Sequence, residues 1–125
     1  MNTMSEDQRR FMQAGNQTTN KNNTEQQILY RELIKEEYKE LFEADIAEEV
    51  LKEAVDVLVV TLGLIWSMGV NPQHVWDLVH ANNMAKVSDA VVKDETGKIM
   101  KSPESKARKE KMMQDIEELL SVGNS

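Results

Sequence analysis

In 125 residues, 40% apolar but only 5% aromatic, the chain has material for one domain around an aliphatic, methionine-containing core. A net charge of −7 argues against a broad basic surface that would neutralise nucleic-acid phosphates, and the absence of cysteine excludes disulfides, zinc–thiolate sites and thiol nucleophiles. The polar start Met1–Met12 lacks the apolar core of a secretory leader, and the uncharged run Val57–Val70 falls short of the roughly 20 residues of a membrane span, so a soluble cytoplasmic protein is expected, with no membrane and no nucleic acid among its partners.

In chain order, Ser5 is a candidate cap for a short first helix running to Ala14 and ended by Gly15. The polar segment 15–24 reads as a loop. Thr24 is a candidate cap for a second helix from Glu25 to Ala44, and a third runs from Asp45 to Met68, stopped by Gly69. Asn71-Pro72 places a capping residue before a proline at the first helical position, opening a fourth helix that extends to Ser88. The helical pattern then breaks: Val91-Val92 and Ile99-Met100 flank "DETG", the signature of a small hairpin or irregular loop. Ser102-Pro103 precedes a charged C-terminal helix, Glu104–Leu120, with a sparse apolar stripe at Met112, Met113, Ile116, Leu119 and Leu120. The expectation is an all-α protein: a helical bundle of four main helices, a small loop or hairpin after helix four, and a charged C-terminal helix. Residues 1–125 read as a single domain, with a core at 25–103 and 104–125 as a charged helix or tail.

Helical wheels sort the acidic residues. On the second helix Glu32, Lys35, Glu36, Lys39 and Glu43 share a polar face, whereas Glu37 and Glu40 fall within the sector of Leu29, Tyr30, Leu33, Ile34, Tyr38, Leu41 and Phe42. The third helix is apolar nearly all round from Ala54 onward and is expected to be central. Glu53 and Asp56 lie on one side of it, continued by Val60, Gly63 and Ser67, with Glu49 one turn earlier. Asp56 leads into the uncharged run with few basic neighbours in sequence. Two helices thus each direct an acid pair inward at i, i+3. Carboxylates so gathered repel one another and would hold raised pKa values unless neutralised. Oxygen donors without His or Cys suit Mg²⁺, with Mn²⁺ as the alternative. The competing reading is plain: Glu37 and Glu40 at a bundle edge, paired with Lys or Arg.

The pattern Glu37-x-x-Glu40 followed by Glu53-x-x-Asp56, with the segments "LIKEEYKELFEA" (33–44), "EAVDVLVVTLG" (53–63), "VHANNMAKV" (79–87) and "DETGKIMKSP" (94–103), resembles the MazG-like nucleotide pyrophosphohydrolases of the all-α NTP pyrophosphatase superfamily. That superfamily also holds phosphoribosyl-ATP pyrophosphohydrolases and dimeric dUTPases. The resemblance spans residues 25–103. It implies Glu37, Glu40, Glu53 and Asp56 as magnesium ligands and catalytic residues, and Asn83 and Lys86 as substrate contacts. Lys98 and Lys101, after a loop, are further candidates to meet phosphates, a solvated loop being the alternative.

The activity so implied is cleavage of the α–β phosphoanhydride of a (d)NTP to the monophosphate and pyrophosphate. The general base would be Glu37 or Glu40, assisted by Glu36 or Glu49. The same site acting on dUTP, phosphoribosyl-ATP or an alarmone is an alternative, as is a non-catalytic α-helical regulatory or interaction dimer. Trp66, Trp76, Phe11 and Tyr30 are candidates to stack on a base, with Asn16 and Gln17 at its edge; core packing is the commoner role of such aromatics. A di-iron bundle is disfavoured by the lack of paired Glu-x-x-His motifs, and a P-loop by the lack of an upstream glycine before Gly97-Lys98. One layer of helices leaves a central apolar helix uncovered, so a homodimer or dimer of dimers is expected.

Overall fold

A computed structural model describes residues 1–88, 95–98 and 103–123. The named elements are all helical, as expected: α1 (Met4–Ala14), α2 (Thr24–Glu43), α3 (Ala47–Ser67), α4 (Pro72–Ser88) and α5 (Pro103–Gly123). Two compact units divide the chain, one built on Met1–Pro72 and the other on Gln73–Val122. The loop or hairpin expected after α4 lies outside the described residues except at 95–98, where Gly97 takes φ 86°, a turn conformation that glycine reaches without strain.

The helix ends follow local chemistry, with shifts from the sequence expectation. Thr3, not Ser5, caps α1: its Oγ1 accepts from Glu6 N–H at 3.1 Å. Ser5 is instead buried inside the first turn, and its carbonyl accepts from the Trp66 indole at 2.8 Å. Asn23, not Thr24, caps α2, its Oδ1 accepting from Gln26 N–H at 3.0 Å. α3 starts at Ala47, two residues later than Asp45, and its cap, Ile46, makes no side-chain bond. The valine-rich interior of α3 has modest intrinsic helix propensity, so packing rather than local preference holds it. It ends where Met68 N–H bonds Ile65 O and Gly69, at φ 76°, bonds Trp66 O.

In the first unit, α2 lies along α3 and α1 touches α3. Met12, Tyr30, Val60 and Trp66 form the core, with Leu33, Ile34 and Leu64 packed on it. The close approach of α2 and α3 is set at Gly63, where a Cβ would overlap the Tyr30 ring. A buried polar clasp fixes the turn before α2. Gln26 Nε2 donates to Thr18 O at 2.7 Å and Ser67 Oγ at 2.8 Å, and its Oε1 accepts from Thr18 N–H. Asn23 N–H donates to Ser67 O at 2.8 Å, tying the start of α2 to the end of α3. Arg9 stacks over the Trp66 ring, 5.6 Å from its centroid.

α3 is packed on one side and bare on another, as one layer of helices leaves it. Leu51, Val55 and Leu58 are 70%, 56% and 40% exposed, and on α2 Tyr38 and Phe42, placed by the wheel in the apolar sector, are also exposed and pack on each other at 4.6 Å.

Candidate functional site

The antiparallel run of α2 and α3 carries the acid pairs toward one another. Beyond the Tyr30–Gly63 contact, and one turn past Leu33, Ile34 and Val60, the inward positions are Glu37 on α2 and Asp56 and Glu53 on α3. One carboxylate oxygen from each of Glu37, Glu40 and Glu53 lies within 4.8 Å of the others. Glu37 and Glu53 are half-buried, and Glu40 is exposed at the rim. Their solvated neighbours Glu32, Glu36 and Glu43 are exposed, as the wheel requires.

The electrostatics of this cluster are unfavourable without a cation. The Oε2 atoms of Glu37 and Glu53 are sealed from solvent with no hydrogen-bond partner among the described residues. Desolvation raises the pKa of Glu37 above its ordinary 4.5, and the charges of Glu40, Asp56 and Glu53 raise it further. Hard oxygen donors, two of them unpartnered and buried, with no imidazole or thiolate among them, fit a hard divalent cation such as Mg²⁺ or Mn²⁺.

Asp56 differs from the other three. Its Oδ2 lies 2.7 Å from Lys52 Nζ, one turn back on α3, and Lys52 also reaches Glu53 Oε1 at 3.4 Å. The hydrogen bond and charge of Asp56, with those of Glu53, hold the Lys52 ammonium well above the usual lysine range. Sequence reasoning treated Asp56 as having few basic neighbours and missed Lys52. The i, i+4 Lys-Asp spacing was the available signal.

Asn83 and Lys86 lie on α4 in the second unit and line a cavity there with residues of α5. Lys98 is exposed, and Lys101 lies outside the described residues. Trp66 and Tyr30, offered as stacking residues, are core side chains: Trp66 is 5% exposed and bonded through its indole N–H, and Tyr30 is 3% exposed with its hydroxyl donated to Gln17. Burial pushes the Tyr30 phenol up, opposed by the Gln17 bond. Gln17 is thereby committed inside the protein. Phe11 and Trp76 are exposed, and Trp76 stacks on His80 with ring centroids 6.1 Å apart.

Among the described residues no helix is long and apolar enough to cross a membrane. A family model described as phosphoribosyl-ATP pyrophosphohydrolase matches residues 3–83, from the cap of α1 to Asn83 on α4, and so contains all four acidic positions. No curated protein and no solved structure matches the chain.

Proposed function

The chain belongs to the phosphoribosyl-ATP pyrophosphohydrolase family, within the all-α NTP pyrophosphatase superfamily, and from that premise we propose that it hydrolyses the α–β phosphoanhydride of a nucleoside triphosphate with a divalent metal, releasing a monophosphate and pyrophosphate. The family supports the coarser statement, a hydrolase acting on pyrophosphate bonds. The observation that carries the finer one is the convergence of Glu37, Glu40 and Glu53 within 4.8 Å, with two buried oxygens unpartnered.

In this reading Glu37, Glu40, Glu53 and Asp56 hold the metal, Mg²⁺ by preference. When bound, it neutralises triphosphate oxygens and eases departure of pyrophosphate. The chain's own groups do the rest. Water attacks phosphorus, and its proton passes to an α2 carboxylate, Glu37 or Glu40, through an oxygen not committed to the metal. The bond to the bridging oxygen breaks, and that oxygen leaves on pyrophosphate. Lys52 holds the Asp56 carboxylate in place on α3 and supplies its counter-charge. Asn83, Lys86, Lys98 and Lys101 are the proposed substrate contacts.

Among the possible substrates, the description of the matching family favours phosphoribosyl-ATP over dUTP, an alarmone or a general (d)NTP. A MazG-like assignment within the superfamily, a cytoplasmic location and action of residues 1–125 as one domain belong to the same proposal. So does a homodimer or dimer of dimers, favoured by the exposed α3 stripe.

The test is pyrophosphate release from phosphoribosyl-ATP, ATP and dUTP, with Mg²⁺ and with EDTA. Turnover is expected only with metal. Glu53→Gln and Asp56→Asn are expected to remain helical by circular dichroism and to lose about two orders of magnitude in kcat/KM. Wild-type turnover in both variants would remove the site.

A further inference from the structure

The second unit, described by itself, holds a cavity of about 1000 Å³ between α4 and α5, at the large end of the range for small-molecule sites. Its polar lining is basic in an acidic chain. Lys86 comes from α4, and Lys106 and Lys109, i and i+3 on one face of α5, come from the other side. One carboxylate, Glu110, lines it as well. None of the three lysines has an ion-pair partner among the described residues. Three ammonium groups against one carboxylate leave the lining net positive, which favours an anion.

A second observation is independent of charge. Asn82 lines the same cavity and is 7% exposed, and its Oδ1 has no hydrogen-bond partner among the described residues. A buried acceptor left unmet is costly, and a ligand hydroxyl or amino group satisfies it. Val79, Met112 and Met113 supply apolar lining, with the adaptable thioethers that suit a flat ring. Phosphate-binding ammonium groups from both helices, a buried acceptor and an apolar wall together describe a phosphorylated ligand with a polar, ring-bearing body.

We infer that this α4–α5 cavity binds a nucleotide, with Lys86, Lys106 and Lys109 on its phosphates and Asn82 Oδ1 accepting from its sugar or base. The choice of a nucleotide rests on the pyrophosphohydrolase reading; the anion site does not. α5 lies wholly beyond the residues 3–83 that match the family model, so Lys106 and Lys109 are read from the structure and not from the family. Lysines act here as mobile point charges, so the phosphate chain, rather than a fixed fork geometry, is what they read.

The experiment is calorimetric titration of the full chain in EDTA with ATP and, separately, with inorganic tripolyphosphate. Working without divalent metal keeps the carboxylate cluster out of the measurement. Wild type is expected to bind both, more weakly as salt rises. Lys106→Ala/Lys109→Ala, at exposed positions that leave the helix intact, is expected to weaken both by about tenfold or more. Asn82→Ala is expected to weaken ATP and leave tripolyphosphate unchanged. Wild-type affinity in the lysine variant overturns the inference even if the enzyme turns over nucleotides. Conversely, lysine-dependent binding in a chain that hydrolyses nothing upholds the cavity and removes the pyrophosphohydrolase reading instead.

Discussion

Lys52 Nζ sits 2.7 Å from Asp56 Oδ2, so the acidic cluster has a cation of its own beside it. Lys52 is 67% exposed along its side chain, whereas Asp56 and Glu53 are 30% and 16% exposed. The ammonium therefore approaches from water and is displaceable, and its pairing is screened by salt.

Replacing it changes the metal response in a defined direction. In Lys52→Met the carboxylates lose their internal counter-charge, so the metal-free protein is expected to melt lower than wild type. A saturating divalent cation then contributes more. The increment in Tm on adding Mg²⁺ or Mn²⁺ is expected to exceed that of wild type by on the order of a few degrees, read by differential scanning fluorimetry. Equal increments would mean that Lys52 does not compete for the cluster.

The raised pKa of Glu37 fixes a pH dependence. A group that is more basic when folded binds its proton more tightly in the native state. Its contribution to stability is full below the unfolded value near 4.5 and is lost as pH rises through the folded value. Metal-free protein is therefore expected to lose stability as pH climbs above 4.5, against the usual trend for salt-bridged acids. Glu37→Gln, which does not titrate, is expected to flatten that decline. Urea midpoints in EDTA at several pH values provide the measurement, and an unchanged slope in the variant would assign the effect elsewhere.

The acidic cluster was legible because it depends on helical period alone. The wheels place both i, i+3 pairs inward; Glu37, Glu53 and Asp56 are half-buried accordingly, whereas Glu40 is exposed at the rim. The helix boundaries were less legible. Thr3 and Asn23 beat Ser5 and Thr24 as caps because a burial demand, the Trp66 indole on the Ser5 carbonyl, and a tertiary bond, Asn23 to Ser67, chose the register. The aromatic candidates misled for the same reason. Trp66 and Tyr30 have apolar bodies and polar tips that satisfied one another's neighbours inside the protein, which no local pattern reveals. Lys106 and Lys109 went unnoticed because charged residues on a charged helix look alike until a facing helix turns some of them into a lining.

Gly63 is a packing requirement, not a flexible joint. In Gly63→Ala the new methyl would collide with the Tyr30 ring, whose hydroxyl is itself tied to Gln17 and cannot swing away freely. Overpacking of this kind costs about 1–3 kcal/mol, so the urea midpoint is expected to fall. Because α2 and α3 together form the acidic cluster, metal affinity should fall as well. A double-mutant cycle with Tyr30→Leu should be non-additive, the alanine being better tolerated once the ring is gone.

The uncovered face of α3 makes the last prediction. Leu51, Val55 and Leu58 recur at four- and three-residue steps, so they form one stripe on the side away from the acids, and all three are exposed. Apolar side chains so aligned, on a helix whose other face is already packed on α2, are the pattern of a buried interface. Covering them stabilises by roughly 1.5–3 kcal/mol per residue before association costs are met. A second copy presenting the same stripe is the self-complementary partner. Light scattering during size exclusion is expected to give twice the monomer mass or more. Leu51→Glu/Leu58→Glu, which puts like charges across such an interface, is expected to give the monomer with helix content retained. A wild-type chain that runs as a monomer, or a charged variant that still pairs, would place the contact elsewhere.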